Sequence, residues 1–93
     1  MLAESAGVRE GAGCVLIVDD DEVNRLVAEG CLVSEGVDVR LADSGPAALD
    51  EVAAGGIDLI LLDIMMPGMD GFETLGALRK IDAAADLPIV FLT

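Results

Sequence analysis

Residues 14–22 read CVLIVDDDE, five apolar residues running without a break into four acids. An uninterrupted run of this length suits a strand covered on both faces, as in parallel sheets, with Asp19, Asp20, Asp21 and Glu22 at its carboxyl end. Val23, Leu26, Val27, Cys31 and Leu32 follow at helical spacing up to Gly36, and Asp21 and Glu22 suit the positive N-terminus of that helix. The alternation then repeats. Val37, Val39 and Leu41 alternate with polar or small residues and predict a second strand, at a sheet edge. Ser44 as N-cap, Pro46 in the first turn and Gly55-Gly56 at the end bound a second helix that carries Ala47, Ala48, Leu49, Val52 and Ala53. Residues 57–63 (IDLILLD) predict a third strand, again ending in an acid. Pro67-Gly68 forces a loop, Phe72, Leu75, Leu78 and Ile81 mark a third helix, and residues 88–93 (PIVFLT) predict a fourth strand. Residues 1–13, small, polar and Gly-rich without periodicity, read as a flexible N-terminal tail ahead of one folded domain over residues 14–93.

Strictly alternating strands and helices predict an α/β fold, a doubly wound parallel sheet with right-handed crossovers and helices on both faces. Ligands of such sheets sit outside the carboxyl ends of the strands. Asp19 and Asp20 after the first strand, Asp63 after the third and Thr93 ending the fourth therefore converge on one rim. Three carboxylates brought together repel one another, and a hard divalent cation relieves that repulsion. Mg²⁺ takes oxygen ligands, commonly one or two carboxylates with water and a phosphate oxygen, so Asp19, Asp20 and Asp63 are candidate ligands. The competing reading, three independent solvated acids, fits poorly with two strand ends delivering acids to the same rim.

Composition removes other classes of function. Five Lys and Arg against 18 acids, with no His, leave a net charge of −13, which opposes binding to nucleic-acid phosphates and to anionic membrane surfaces. With 54% hydrophobic residues the chain has the material for a core, and with two Phe and no Trp or Tyr that core is aliphatic and ill suited to stacking bases. No apolar stretch approaches the ~20 residues of a bilayer span. The absence of His, with only Cys14 and Cys31, excludes the usual zinc sites and the Ser/His/Asp and Cys/His nucleophilic devices. Any chemistry must run on carboxylates. Both cysteines are expected to be buried thiols in a cytoplasmic chain, since each sits in an apolar stretch and no secretory leader is evident.

Several segments together resemble the receiver domain of bacterial two-component response regulators. They are the apolar strand ending in Asp19-Asp20-Asp21, the segment from Asp63 through Met66-Pro67 and Asp70-Gly71, the Ser44-Gly45 and Ala48-Leu49 entry to the second helix, and Thr93 ending the fourth strand. The resemblance spans residues 14–93. It implies a flavodoxin-like sheet with strand order 2-1-3-4 and Asp63 as phosphoacceptor, loaded by a histidine kinase or phosphotransfer protein. Mg²⁺ would be held by the Asp20 and Asp63 side chains and the Met65 carbonyl, with Asp19 acting mostly through water. Thr93 would contact the phosphoryl group and couple its arrival to a conformational switch, and Pro67 and Gly71 would shape the loop after the acceptor. Such a domain is regulatory, with no enzymatic activity beyond its own phosphotransfer and dephosphorylation. Asn24 and Arg25 resemble receivers attached to sensor kinases or signalling output enzymes.

The family pattern continues past its fourth strand with a helix, a fifth strand carrying a Lys and a final helix, none of which this sequence contains. The fourth strand is therefore expected to be an exposed apolar edge, and the first helix to lack a neighbour. Either these residues are part of a longer chain, or a second copy pairs with them through that strand, as a homodimer or segment-swapped assembly. Two rival functions remain at this level. One is a non-phosphorylated receiver serving as an interaction module. The other is a haloacid-dehalogenase-type phosphatase with Asp19 as nucleophile and Asp21 as acid/base, which leaves Asp63 and its loop unexplained.

Overall fold

The computed structural model describes residues 13–92; the predicted tail up to residue 12, and Thr93, lie outside the described residues. Each apolar run forms a strand: β1 at Cys14–Val18, β2 at Asp38–Ala42, β3 at Leu59–Asp63 and β4 at Ile89–Leu92. Between them lie helices α1 at Glu22–Val33, α2 at Gly45–Ala53 and α3 at Gly71–Leu78, with a single 3₁₀ turn at Asp82–Ala84 before β4. All strand pairs are parallel and the order is β2-β1-β3-β4, the flavodoxin-like arrangement with β2 at one edge. Register ties the rims together, because Val18 sits between Ala42 and Leu62, and Asp63 lies beside Leu92.

Local chemistry sets the element ends. Asp21 caps α1 by accepting the Asn24 N–H at 3.1 Å, and Ser44 caps α2 by accepting the Ala47 N–H at 3.2 Å. Asp70 and Glu73 form a reciprocal capping box at the start of α3. Gly55 and Gly56, at φ 84° and 89°, take the left-handed turn that ends the α2 segment at little steric cost. Arg40 on β2 locks that end in place. Its guanidinium donates to the Gly55 and Glu51 carbonyls at 2.7 and 2.8 Å and pairs with the Glu51 carboxylate at 2.9 Å. The third helix ends at Leu78, one turn short of the Ile81 that the periodicity included. There Arg79 gathers the carbonyls of Ala84, Ala85 and Leu87 at 3.0, 3.2 and 2.8 Å, which holds the chain in a tighter turn.

Most of the core lies on one side of the sheet, with Ile17 fully buried on the other. Leu16, Val18, Ile60 and Leu62 are fully buried on the first side with Ala48 and Val52 of α2 and Leu78 of α3. On the other side α1 packs over β1 and β2, but none of its own residues is fully buried. Its half-buried residues are Arg25, Ala28, Glu29 and Leu32, spaced to face the sheet, whereas Val23, Leu26 and Val27 are 66%, 55% and 62% exposed. Most of the apolar stripe read from the sequence thus points away from the sheet. The expectation of two buried thiols is corrected with it: Cys31 is exposed on α1, and Cys14 is half-buried against the core.

Candidate functional site

The carboxyl ends of β1 and β3 deliver three acids to one point, since parallel neighbours end on the same rim. Asp19, Asp20 and Asp63 each place a carboxylate oxygen within 4.8 Å of the others. Asp19 is buried and held at both ends. Its N–H donates to the Ala42 carbonyl at 3.1 Å, and its Oδ1 accepts the Asp21 N–H at 2.9 Å. Asp20 is exposed, and Asp63 half-buried. Asp63 Oδ1 accepts the Met65 N–H at 3.2 Å. Burial pushes the Asp63 carboxyl above its ordinary value of 3.8, the Met65 N–H draws it back, and the charges of Asp19 and Asp20 raise it further. An all-oxygen donor set in which negative charges crowd one another fits a hard divalent cation and suits neither zinc nor a soft metal.

The loop after Asp63 is fixed by close backbone contact. Gly71 donates its N–H to the Ile64 carbonyl at 2.9 Å, and a Cβ on Gly71 would lie 2.6 Å from both the Asp63 carbonyl oxygen and the Ile64 Cα. Only glycine fits. Gly45 at the start of α2 is also closely approached, but by side chains: a Cβ there would meet Thr74 Oγ1 at 2.5 Å and Met69 Sδ at 2.6 Å, so those side chains would have to shift. Beyond Asp63 the chain opens into a groove of about 470 Å³ lined by Ile64, Met65, Met66, Pro67, Asp70 and Phe72. Phe72 is 60% exposed and tilts against Phe91 with ring centroids 5.2 Å apart, joining α3 to β4. Met65 is 81% exposed, so its side chain is not core packing, while Met66 is buried.

Of the residues singled out by sequence, the structure thus brings Asp19, Asp20 and Asp63 together, with Met65 hydrogen-bonded to the last through its backbone. Thr93 lies outside the described residues; Leu92 before it is registered against Asp63. One contributor escaped the sequence reading. Arg25 donates Nη1 to the Asp19 carbonyl at 2.7 Å, a contact signalled only by the Asn24-Arg25 pair after the acid run.

Residues 15–93 match the family model of the response regulator receiver domain. The chain belongs to that family. Among curated receiver relatives, the transcriptional regulatory protein YkoG of Bacillus subtilis is 42% identical over 81 residues, 87% of this chain and 35% of its own length. A solved response regulator N-terminal domain from Methanoculleus marisnigri superposes with a TM-score of 0.85 at 37% identity, over 89% of this chain and 68% of that one. Response regulator TrrA of Thermotoga maritima, solved in complex with Mg²⁺-BeF, gives 0.80 at 37% identity, over 87% of this chain and 69% of that one. The chain therefore spans about a third of YkoG and about two thirds of the solved receivers.

Proposed function

We propose that this receiver accepts a phosphoryl group on Asp63 from the phosphohistidine of a histidine kinase or phosphotransfer protein, in a Mg²⁺-dependent reaction, and thereby switches a partner or output. The observation that carries the reading is the convergence of the Asp19, Asp20 and Asp63 oxygens within 4.8 Å at the ends of two parallel strands. Asp20 and Asp63 side chains with the Met65 carbonyl would hold the ion, and Asp19 would act through water. When bound, Mg²⁺ neutralises the crowded carboxylates and the phosphoryl oxygens. An Asp63 oxygen attacks phosphorus, the P–N bond to imidazole breaks, and its electron pair stays on the departing nitrogen. The Met65 N–H keeps the other Asp63 oxygen oriented. Thr93 is assigned the contact to the arriving phosphoryl group and the switch.

Apart from this transfer and the reverse loss of phosphate, the domain is assigned no catalysis, and its charge of −13 argues against nucleic acid or anionic membrane as its own partner. Among the described residues no helix is long and apolar enough to cross a membrane, and the site of action is assigned to the cytoplasm. The receiver domain is assigned to residues 14–93. Because β4 carries no charge and pairs only with β3 among the described strands, its outer edge is assigned either to a further segment of a longer chain or to a second copy, as a homodimer or segment-swapped assembly.

Acetyl phosphate with Mg²⁺ tests the reading by intact mass. One phosphoryl group is expected on the wild type, none on Asp63→Asn, and a reduced amount on Asp19→Asn. Labelling that survives Asp63→Asn and disappears in Asp19→Asn would assign the phosphatase chemistry instead. No labelling and no response to beryllofluoride would leave a non-phosphorylated interaction module.

A further inference from the structure

α1 turns a cation toward the sheet where a helix of this kind is expected to place an apolar residue. Arg25 is half-buried, and its Nη1 donates to the backbone carbonyl of Asp19 at 2.7 Å. The last registered pairs of β1 are Val18 with Ala42 and Val18 with Leu62, so the Asp19 carbonyl lies past the ladder and takes its hydrogen bond from a side chain. A donor with a full positive charge makes that bond stronger than a neutral one would.

The peptide plane that carries the Asp19 oxygen also carries the Asp20 nitrogen. Fixing it fixes the direction in which Asp20 leaves the strand. Asp19 is already tethered through its N–H to Ala42 and through Oδ1 to the Asp21 N–H, and Arg25 supplies the third tether, the one that acts on Asp20. The guanidinium is not consumed by charge pairing: among the described residues the one ion pair is Arg40 with Glu51, although Asp20, Asp21 and Glu22 lie near in sequence.

We propose that Arg25 is a positioning residue for the divalent-cation site, holding the Asp19–Asp20 peptide so that the Asp20 carboxylate stands opposite that of Asp63. This rests on the reading of the acid cluster as a Mg²⁺ site. Two effects compete in any Arg25 variant. Losing the tether loosens Asp20 and weakens the site, whereas losing the positive charge lowers repulsion of the incoming cation and tightens it. The half-buried guanidinium is only partly screened by salt, and the larger effect is assigned to the tether, which titration at two salt concentrations separates from the charge. Partners that orient metal ligands change affinity by roughly 10–100-fold when removed, and an indirect hold through the backbone places Arg25 at the low end.

The experiment is calorimetric titration of MgCl₂ into the wild-type chain, Arg25→Met and Arg25→Lys at low and physiological salt, with the melting temperature of each recorded without Mg²⁺. Arg25→Met keeps the apolar stem and loses the donors; roughly tenfold weaker binding is expected, with the metal-free melting temperature close to wild type. Arg25→Lys keeps one donor and the charge, and roughly threefold weaker binding is expected. Met binding as tightly as wild type, or more tightly, would assign Arg25 the role of a counter-charge and overturn the proposal. Should Arg25→Met not fold, Arg25→Lys decides: threefold weakening at an unchanged melting temperature supports the tether, and unchanged or tighter binding overturns it. A wild-type chain that binds no Mg²⁺ overturns the site reading itself, and the proposal with it, before any variant is compared.

Discussion

On one side of the sheet Leu16, Val18, Ile60 and Leu62 lie fully buried beneath α2 and α3, while on the other α1 alone covers β1 and β2. Val23, Leu26 and Val27 of α1 and Val90 of β4 remain 50–66% exposed on or beside that second side. The residues are chemically alike on both sides. What differs is how much is laid over them: on the second side Ile17 is fully buried, whereas the outward-facing aliphatic residues of α1 and Val90 stay exposed and form a sticky surface. The three acids belong to neither side, since they sit on the rim where both sides end.

The sharpest way to test this contrast is to truncate one leucine on each side. Leu62→Ala should cost about 2–5 kcal/mol in urea unfolding, enough to unfold much of a chain this small, whereas Leu26→Ala should stay within about 0.5 kcal/mol. Equal losses would show that α1 is covered in solution. Next comes Arg40→Met, which removes three hydrogen bonds that hold the end of α2 over the core. A loss of about 1–3 kcal/mol is expected by the same measurement. On the open side, Val90→Lys places a charge on an edge strand that has none. In sedimentation velocity, self-association is expected to weaken by about tenfold or more, on the order of 1.4 kcal/mol. A monomeric wild type would leave this edge to a further segment of a longer chain.

The smallest effect concerns the rim. Asp63 has its carboxyl raised by burial and by its acidic neighbours, so it holds its proton more tightly in the folded chain than in the unfolded one. Its contribution to stability is therefore fully present below the ordinary value of 3.8 and is lost as pH rises through the folded-state pKa. At neutral pH without Mg²⁺, Asp63→Asn should stabilise the chain, on the order of 0.5 kcal/mol for a solvent-screened group. The gain should vanish at low pH and in saturating Mg²⁺, both readable as melting temperatures.

How far the sequence reveals this molecule follows the same division. Strands, caps and turns were legible because their signals are local: an apolar run ending in acids, Ser44 with Pro46, Gly55-Gly56. The acid cluster was legible because parallel strands must end on one rim, which converts two distant acidic segments into neighbours. Burial on α1 was not. Helical spacing of Val23, Leu26, Val27 and Cys31 identifies an apolar stripe but not what lies against it, and here the sheet is met by Arg25, Ala28, Glu29 and Leu32. Arg25 escaped for a related reason, since a side chain that satisfies a strand-end carbonyl leaves no periodicity. The early end of α3 depended on Arg79 reaching three carbonyls beyond the helix, a contact that exists only once the chain has turned.

Gly71 carries a mechanical consequence. With no room for a Cβ between it and the Asp63 and Ile64 backbone, and with its N–H bonded to Ile64, the first residue of α3 rests directly on the peptide that follows Asp63. Elsewhere in a protein a side chain rotates or compresses to absorb a small displacement. Here there is no such cushion, and a shift of that peptide by a fraction of an ångström must be passed to the helix or resisted by it. The start of α3 and the backbone at Asp63 are thus geared together, so that neither can shift without the other.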